Sequence, residues 1–200
     1  MTIEKVNEIE IINLSITGNV YFNNSKKITI NNVSIKGYIN SNFDKINNEN
    51  VKISNFIYNT SNYSSNVCVS LGGNVEIENS KFYGSSSCQE RLFDFNGLDK
   101  YKLSIKNSYF SGEYGCPCLQ VNNSTNSYIE DSIIEKAFSP YGSTGGAGIR
   151  MAYSHGKISN TTFKDIISYP NGGAFSLFNN YELFADHLNI YNTTSLYMVF

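Results

Sequence analysis

Charge is scarce in this chain. Asp, Glu, Lys and Arg together make up 16% of its 200 residues, and the formal net charge is −2. Affinity for a phosphate backbone scales with the Lys and Arg set against it, so the composition offers nucleic acid no basic surface. It offers no acidic tail either. No run of about 18 apolar residues occurs, which excludes a membrane-spanning helix. The opening Met1-Thr2-Ile3-Glu4-Lys5 lacks the basic-then-apolar order of a secretory signal. No stretch keeps a helical period over a useful length. Cys116-Pro117-Cys118 has a one-residue gap and no nearby histidine, short of a zinc site, and no cofactor is implied.

What is present is periodic. Apolar residues reach 40% and aromatics 14%, enough for one domain with a sizeable core at this length. The polar surface must come from uncharged residues, chiefly Asn and Ser. One motif, Ile28–Ile35 around a corner at Asn32, recurs with corners at Asn13, Asn55, Asn79, Asn107, Asp131, Asn160 and, more weakly, His187. Two residues before the corners stand Ile11, Ile30, Ile53, Ile77, Ile105, Ile129, Ile158 and Ala185; three residues after stand Ile16, Ile35, Tyr58, Phe82, Phe110, Ile134, Phe163 and Ile190. Successive corners lie 19, 23, 24, 28, 24, 29 and 27 residues apart. A motif that persists while its spacing drifts marks a solenoid with fixed strands and variable loops.

Inside each repeat the alternation has period two. Ile28, Ile30 and Asn32 share one face and Thr29 and Asn31 the other, as in a half-buried strand. The phase changes after the corner, where Asn tolerates left-handed backbone. A third apolar segment follows a variable loop, as in Val67–Leu71, Leu92–Phe95, Leu119–Val121, Ile149–Met151, Phe175–Leu177 and Tyr197–Val199. Such repeats predict a coil around a dry interior. The isoleucines form one column. The corners Asn13, Asn32, Asn55, Asn79, Asn107, Asp131, Asn160 and His187 form a ladder of side-chain amides that satisfies polar groups inside.

These features resemble the right-handed parallel β-helix of pectin-lyase-like proteins over nearly the whole chain. From about residue 130 the sequence also resembles polymorphic outer-membrane-protein-type repeats. There Phe163 is followed by Gly172-Gly173-Ala174-Phe175, and Ile134 by Gly145-Gly146-Ala147-Gly148-Ile149. The resemblance implies an all-β, right-handed, single-stranded parallel β-helix of about eight rungs, three short strands each, filling residues 1–200 as one domain. The closing run Leu196–Phe200 reads as a strand without the polar cap a solenoid needs, so a piece of a longer array is expected.

Cys88 follows Phe82 by six residues and Cys116 follows Phe110 by six. Rungs about 4.8 Å apart would bring two such cysteines within disulfide reach. Two readings stand: a Cys88–Cys116 bridge with Cys68 and Cys118 free, or four reduced thiols. A bridge, together with Asn-x-Ser/Thr acceptors that permit secretion, points to a secreted or cell-surface protein.

Chemistry is sought on the outward face of the third segment, where Ser70, Asp94, Gln120, Arg150, Ser176 and Met198 should form a row. Asp94 and Arg150 then stand two rungs apart, roughly 9–10 Å, with Gln120 between them. Tyr153 belongs to a set with Tyr101, Tyr109, Tyr114, Tyr128 and Tyr141 that would stack on sugar rings. Asp94, Gln120, Arg150 and Tyr153 are therefore the candidate binding residues. Glycoside hydrolysis needs two placed carboxyl groups, and the row supplies one. Neither Asn-Thr-Asp nor Gly-His-Gly occurs, and His155 has no carboxylate in its own turn. No catalytic residue is assigned. The expected protein is a non-catalytic extracellular scaffold that binds a partner protein or a cell-wall glycan. The rivals are a fragment of a polysaccharide lyase or glycoside hydrolase, and a purely structural adhesin stalk.

Overall fold

A computed structural model describes residues 1–41, 49–60, 64–140, 145–169 and 172–196. Every regular element among them is a strand, from Thr2–Glu4 to Asn189–Ser195. The strands form one 8-stranded and one 15-stranded sheet, and each pairs in parallel with the equivalent strand a repeat away. This order fits a parallel β-helix.

The registers follow the repeat residue by residue. Ile11, Ile30, Ile53, Ile77, Ile105, Ile129, Ile158 and Ala185 are aligned partners on successive first segments. Ile16, Ile35, Tyr58, Phe82, Phe110, Ile134, Phe163 and Ile190 do the same on the second. The interior members of both columns are buried. The alternation read from the sequence is thus the alternation of inside and outside.

All eight corners adopt left-handed backbone, with φ between 46° and 55°. The corner reverses the direction of the side chains, and here the expected interior ladder is corrected. All eight corner side chains are exposed. Asn32 donates to Asn13 at 2.7 Å and Asn160 to Asp131 at 3.1 Å, but Asn55 turns aside to Asn31 at 3.0 Å. His187 lies 3.6 Å from Asp186. The amide ladder is external and interrupted.

The residue after the corner is buried instead at Val33, Phe56, Ser80, Ser108, Ser132 and Thr161, and there a ladder of hydroxyls runs through the core. The backbone N–H of Phe56 donates to Ser80 Oγ at 3.3 Å, that of Ser80 to Ser108 Oγ at 3.2 Å, and that of Ser108 to Ser132 Oγ at 3.2 Å. Each hydroxyl donates in turn to a carbonyl two residues back. A second ladder joins Ser124 N–H to Ser154 Oγ and Ser154 N–H to Asn180 Oδ1, both at 3.1 Å. Ser108→Ala is expected to cost about 1–3 kcal/mol, since it strands the buried N–H of Ser80. Asn107→Ala removes an exposed amide and costs only the left-handed preference of Asn, about 1 kcal/mol. Urea unfolding midpoints that ranked the two in the opposite order would refute the hydroxyl ladder.

The expected Cys88–Cys116 bridge is also corrected. Cys88 is joined to Cys68, with Cα atoms 5.3 Å apart, and Cys116 and Cys118 are buried free thiols. Equal counts from Phe82 and Phe110 mislead because the two loops use their residues differently. After Phe110 the chain closes a tight turn, Gly115 N–H to Gly112 O at 2.8 Å, with Glu113 and Tyr114 both left-handed. Cys116 is thereby held under Gly84, where an added Cβ would come within 2.6 Å of its sulfur. After Phe82 the turn comes one residue later, Cys88 N–H to Ser85 O at 3.0 Å, so that Cys88 opens the next strand beside Ser65, and the register shifts between Cys88 and Arg91. A bridge closing a loop of this length contributes about 3 kcal/mol in the chain-entropy account.

Candidate functional site

The third segments form the 8-stranded sheet. On Cys88–Asn96 and its neighbours, Phe93 and Phe95 are buried while Asp94 between them faces outward. Pairing aligns Asn40 with Ser70, Ser70 with Asp94, Asp94 with Gln120, Gln120 with Arg150, and Arg150 with Ser176. The structure therefore brings Asp94, Gln120 and Arg150 into one row on adjacent strands. Met198 lies outside the described residues, as does Tyr141. Tyr153 is not in the row. It sits in the left-handed turn after Ile149–Ala152, its ring edge-on to Phe178 at 5.5 Å.

The electrostatics of the row centre on Asp94. Burial pushes its carboxyl up to about 6, against the pull of the Arg91 guanidinium and the Gln120 amide. Asp94 Oδ1 and Ser70 Oγ, on neighbouring strands, are both buried without a hydrogen-bond partner. Arg150 reaches sideways to Asn122 Oδ1 at 3.2 Å. Arg91, three residues before Asp94 on the same strand, is buried, and burial lowers its guanidinium to about 10. Its Nη1 donates to Leu119 O at 2.9 Å and Gly146 O at 3.4 Å, tying three successive repeats together beneath the row. A positive charge buried there holds the adjacent face attractive to acceptor groups. Arg91 follows Gln89 and Glu90 in the sequence and reads there as one more exposed polar residue, so its role was not legible in the sequence.

The raised carboxyl has a stability consequence. The folded chain holds the Asp94 proton more tightly than the unfolded chain, so the contribution is most favourable below about pH 4. It is lost as pH rises toward the folded value of about 6. Asp94→Asn is expected to raise the melting temperature at pH 7.5, through a gain of up to about 3 kcal/mol, and to change little at pH 4. An equal effect at both pH values would contradict a carboxyl whose burial outweighs the pull of Arg91 and Gln120.

Among the described residues no three of His, Cys, Asp and Glu gather as a metal site, and no helix is long and apolar enough to cross a membrane.

No family model matches the chain, and no curated protein does. Among solved structures, the A-module of mannuronan C-5 epimerase AlgE4 from Azotobacter vinelandii is similar at 12% identity, with a TM-score of 0.30. The match covers 100% of this chain and 58% of that one, so the chain spans less than two thirds of that module.

Proposed function

We propose that this chain is a right-handed, single-stranded parallel β-helix of about eight turns, three short strands to each, with strand spacing of about 4.8 Å. Its role is that of a non-catalytic, secreted or cell-surface module holding a polysaccharide along the third face. The observation that carries this reading is the row Asn40–Ser70–Asp94–Gln120–Arg150–Ser176. One polar side chain per strand, aligned along the coil, presents evenly spaced donors and acceptors to an extended polymer of repeating units. The Cys68–Cys88 bridge supports an oxidising compartment.

The test is affinity electrophoresis and a glycan array with pectin, xylan and alginate. Retention of one polymer is expected, weakened about tenfold or more by Arg150→Ala or Gln120→Ala. Retention unchanged in both variants overturns the reading, and capture of a protein partner in place of any glycan replaces it.

A second reading is favoured by one observation. A buried carboxylic acid titrating near 6 has the character of a general acid, as a fragment of a polysaccharide-degrading enzyme requires. Incubation with the same polymers, with and without calcium, separates the two. New reducing or unsaturated ends, abolished by Asp94→Ala, establish the enzyme.

A further inference from the structure

The second segments carry an aligned row of their own on the side away from the core, in which Ser111 and Glu135 are themselves covered. Lys36, Asn59, Tyr83, Ser111, Glu135 and Lys164 are aligned on successive strands. Each follows directly on a core residue, Ile35, Tyr58, Phe82, Phe110, Ile134 or Phe163. Beside this row the turn at Gly112–Cys116, with Glu113 left-handed, rises to form a wall. Between wall and sheet lies an open groove of about 640 Å³, lined by Lys36, Asn59, Thr60, Tyr83, Gly84 and Glu113.

From this geometry we infer a separate binding site for a short neutral oligosaccharide, on a different face from the polymer row. The lining holds one cation and one anion, so it is neutral as a whole and has no preference for a charged ligand. It contains no aliphatic side chain, which disfavours the apolar ligands that occupy most small-molecule pockets and the desolvated anchors of protein partners. Tyr83 supplies a half-buried ring whose face matches the C–H face of a pyranose. Asn59, Thr60, Lys36 and Glu113 surround it with donors and acceptors for hydroxyls.

The groove is built before any ligand arrives. Thr60 Oγ1 is bonded to Ser85 Oγ at 2.9 Å, and Ser111 Oγ donates to Glu113 Oε1 at 2.6 Å. The Tyr83 ring leans on that of Tyr109, with centroids 5.5 Å apart. Tyr109 donates its hydroxyl to Glu135 at 2.6 Å, and Glu135 is held by Lys164 at 2.7 Å and Lys136 at 3.5 Å. The ring that would meet the sugar thus rests on a network that is already closed, which keeps the ordering cost of binding low.

Saturation-transfer NMR and calorimetry with cellotetraose and xylotetraose, and tetragalacturonate as the charged comparison, test this on the intact chain. At least one neutral probe should bind, about tenfold more weakly to Tyr83→Ala and about threefold more weakly to Lys36→Ala or Glu113→Gln. Lys36 and Glu113 are exposed, so those two variants keep the test valid if Tyr83→Ala disturbs the fold. Arg150→Ala should leave this binding intact, which separates failure here from failure of the polymer row. Absence of neutral binding at about 10 mM, binding of tetragalacturonate alone, affinity preserved in all three groove variants, or loss confined to Arg150→Ala overturns the inference.

Discussion

Ile105→Asp is expected to abolish the folded state. Ile105 is fully buried and stands in register between Ile77 and Ile129. A carboxylate there has no cation to meet and no water to face, and neutralising it still leaves a buried polar group without a partner. That penalty, several kcal/mol, compares with a total stability of about 5–15 kcal/mol for an ordinary domain. The loss also spreads, because each turn of a solenoid is held only by its neighbours. Lys102→Asp, at the exposed start of the same strand and aligned with the uncharged Asn126, serves as the control, and a change within about 0.5 kcal/mol is expected. Circular dichroism should show no cooperative melt for Ile105→Asp. A melt within a few degrees of the parent would refute the stacked core.

Phe82→Ala is expected to be the next most damaging change, at about 3–5 kcal/mol. The Phe82 ring lies parallel to that of Phe110 with centroids 4.6 Å apart, meets Phe93 edge-on at 5.9 Å, and touches Phe56 and Tyr58. It therefore joins the second and third segments across the core, and its removal leaves a cavity that strands locked in register cannot close. Phe178, almost half exposed near the last turn, should tolerate alanine far better. Equal urea midpoints for the two variants would show that the aromatic stack does not hold the faces together.

The parts of the fold that were legible in the sequence are those governed by a strict local period. The isoleucine before each corner alternates with polar neighbours, so its burial could be read directly, and the row through Asp94, Gln120 and Arg150 followed from the same counting. The corner was legible as a bend but not as a direction. One left-handed residue reverses which side chain points inward, so Asn107 went out and Ser108 in, and serine announces no such duty in a sequence full of it. Cys88 and Cys116 could not be paired by counting because two tight turns, placed one residue apart along otherwise equal loops, deliver their cysteines to different places. The groove beside Tyr83 was hidden for another reason. Its lining comes from repeats far apart in sequence, at outward positions where composition is free to vary, and only the fold brings Lys36 near Glu113.

The bridge between Cys68 and Cys88 also bears on how such a coil carries a mechanical load. Tension applied at the two termini peels turns from the ends, one after another. The 20-residue interval between the bridged cysteines cannot lengthen while the bond lasts, which withholds about 70 Å of contour from extension. A reducing environment releases that length, so the extensibility of the rod is set by redox state as well as by the strength of its strand pairing.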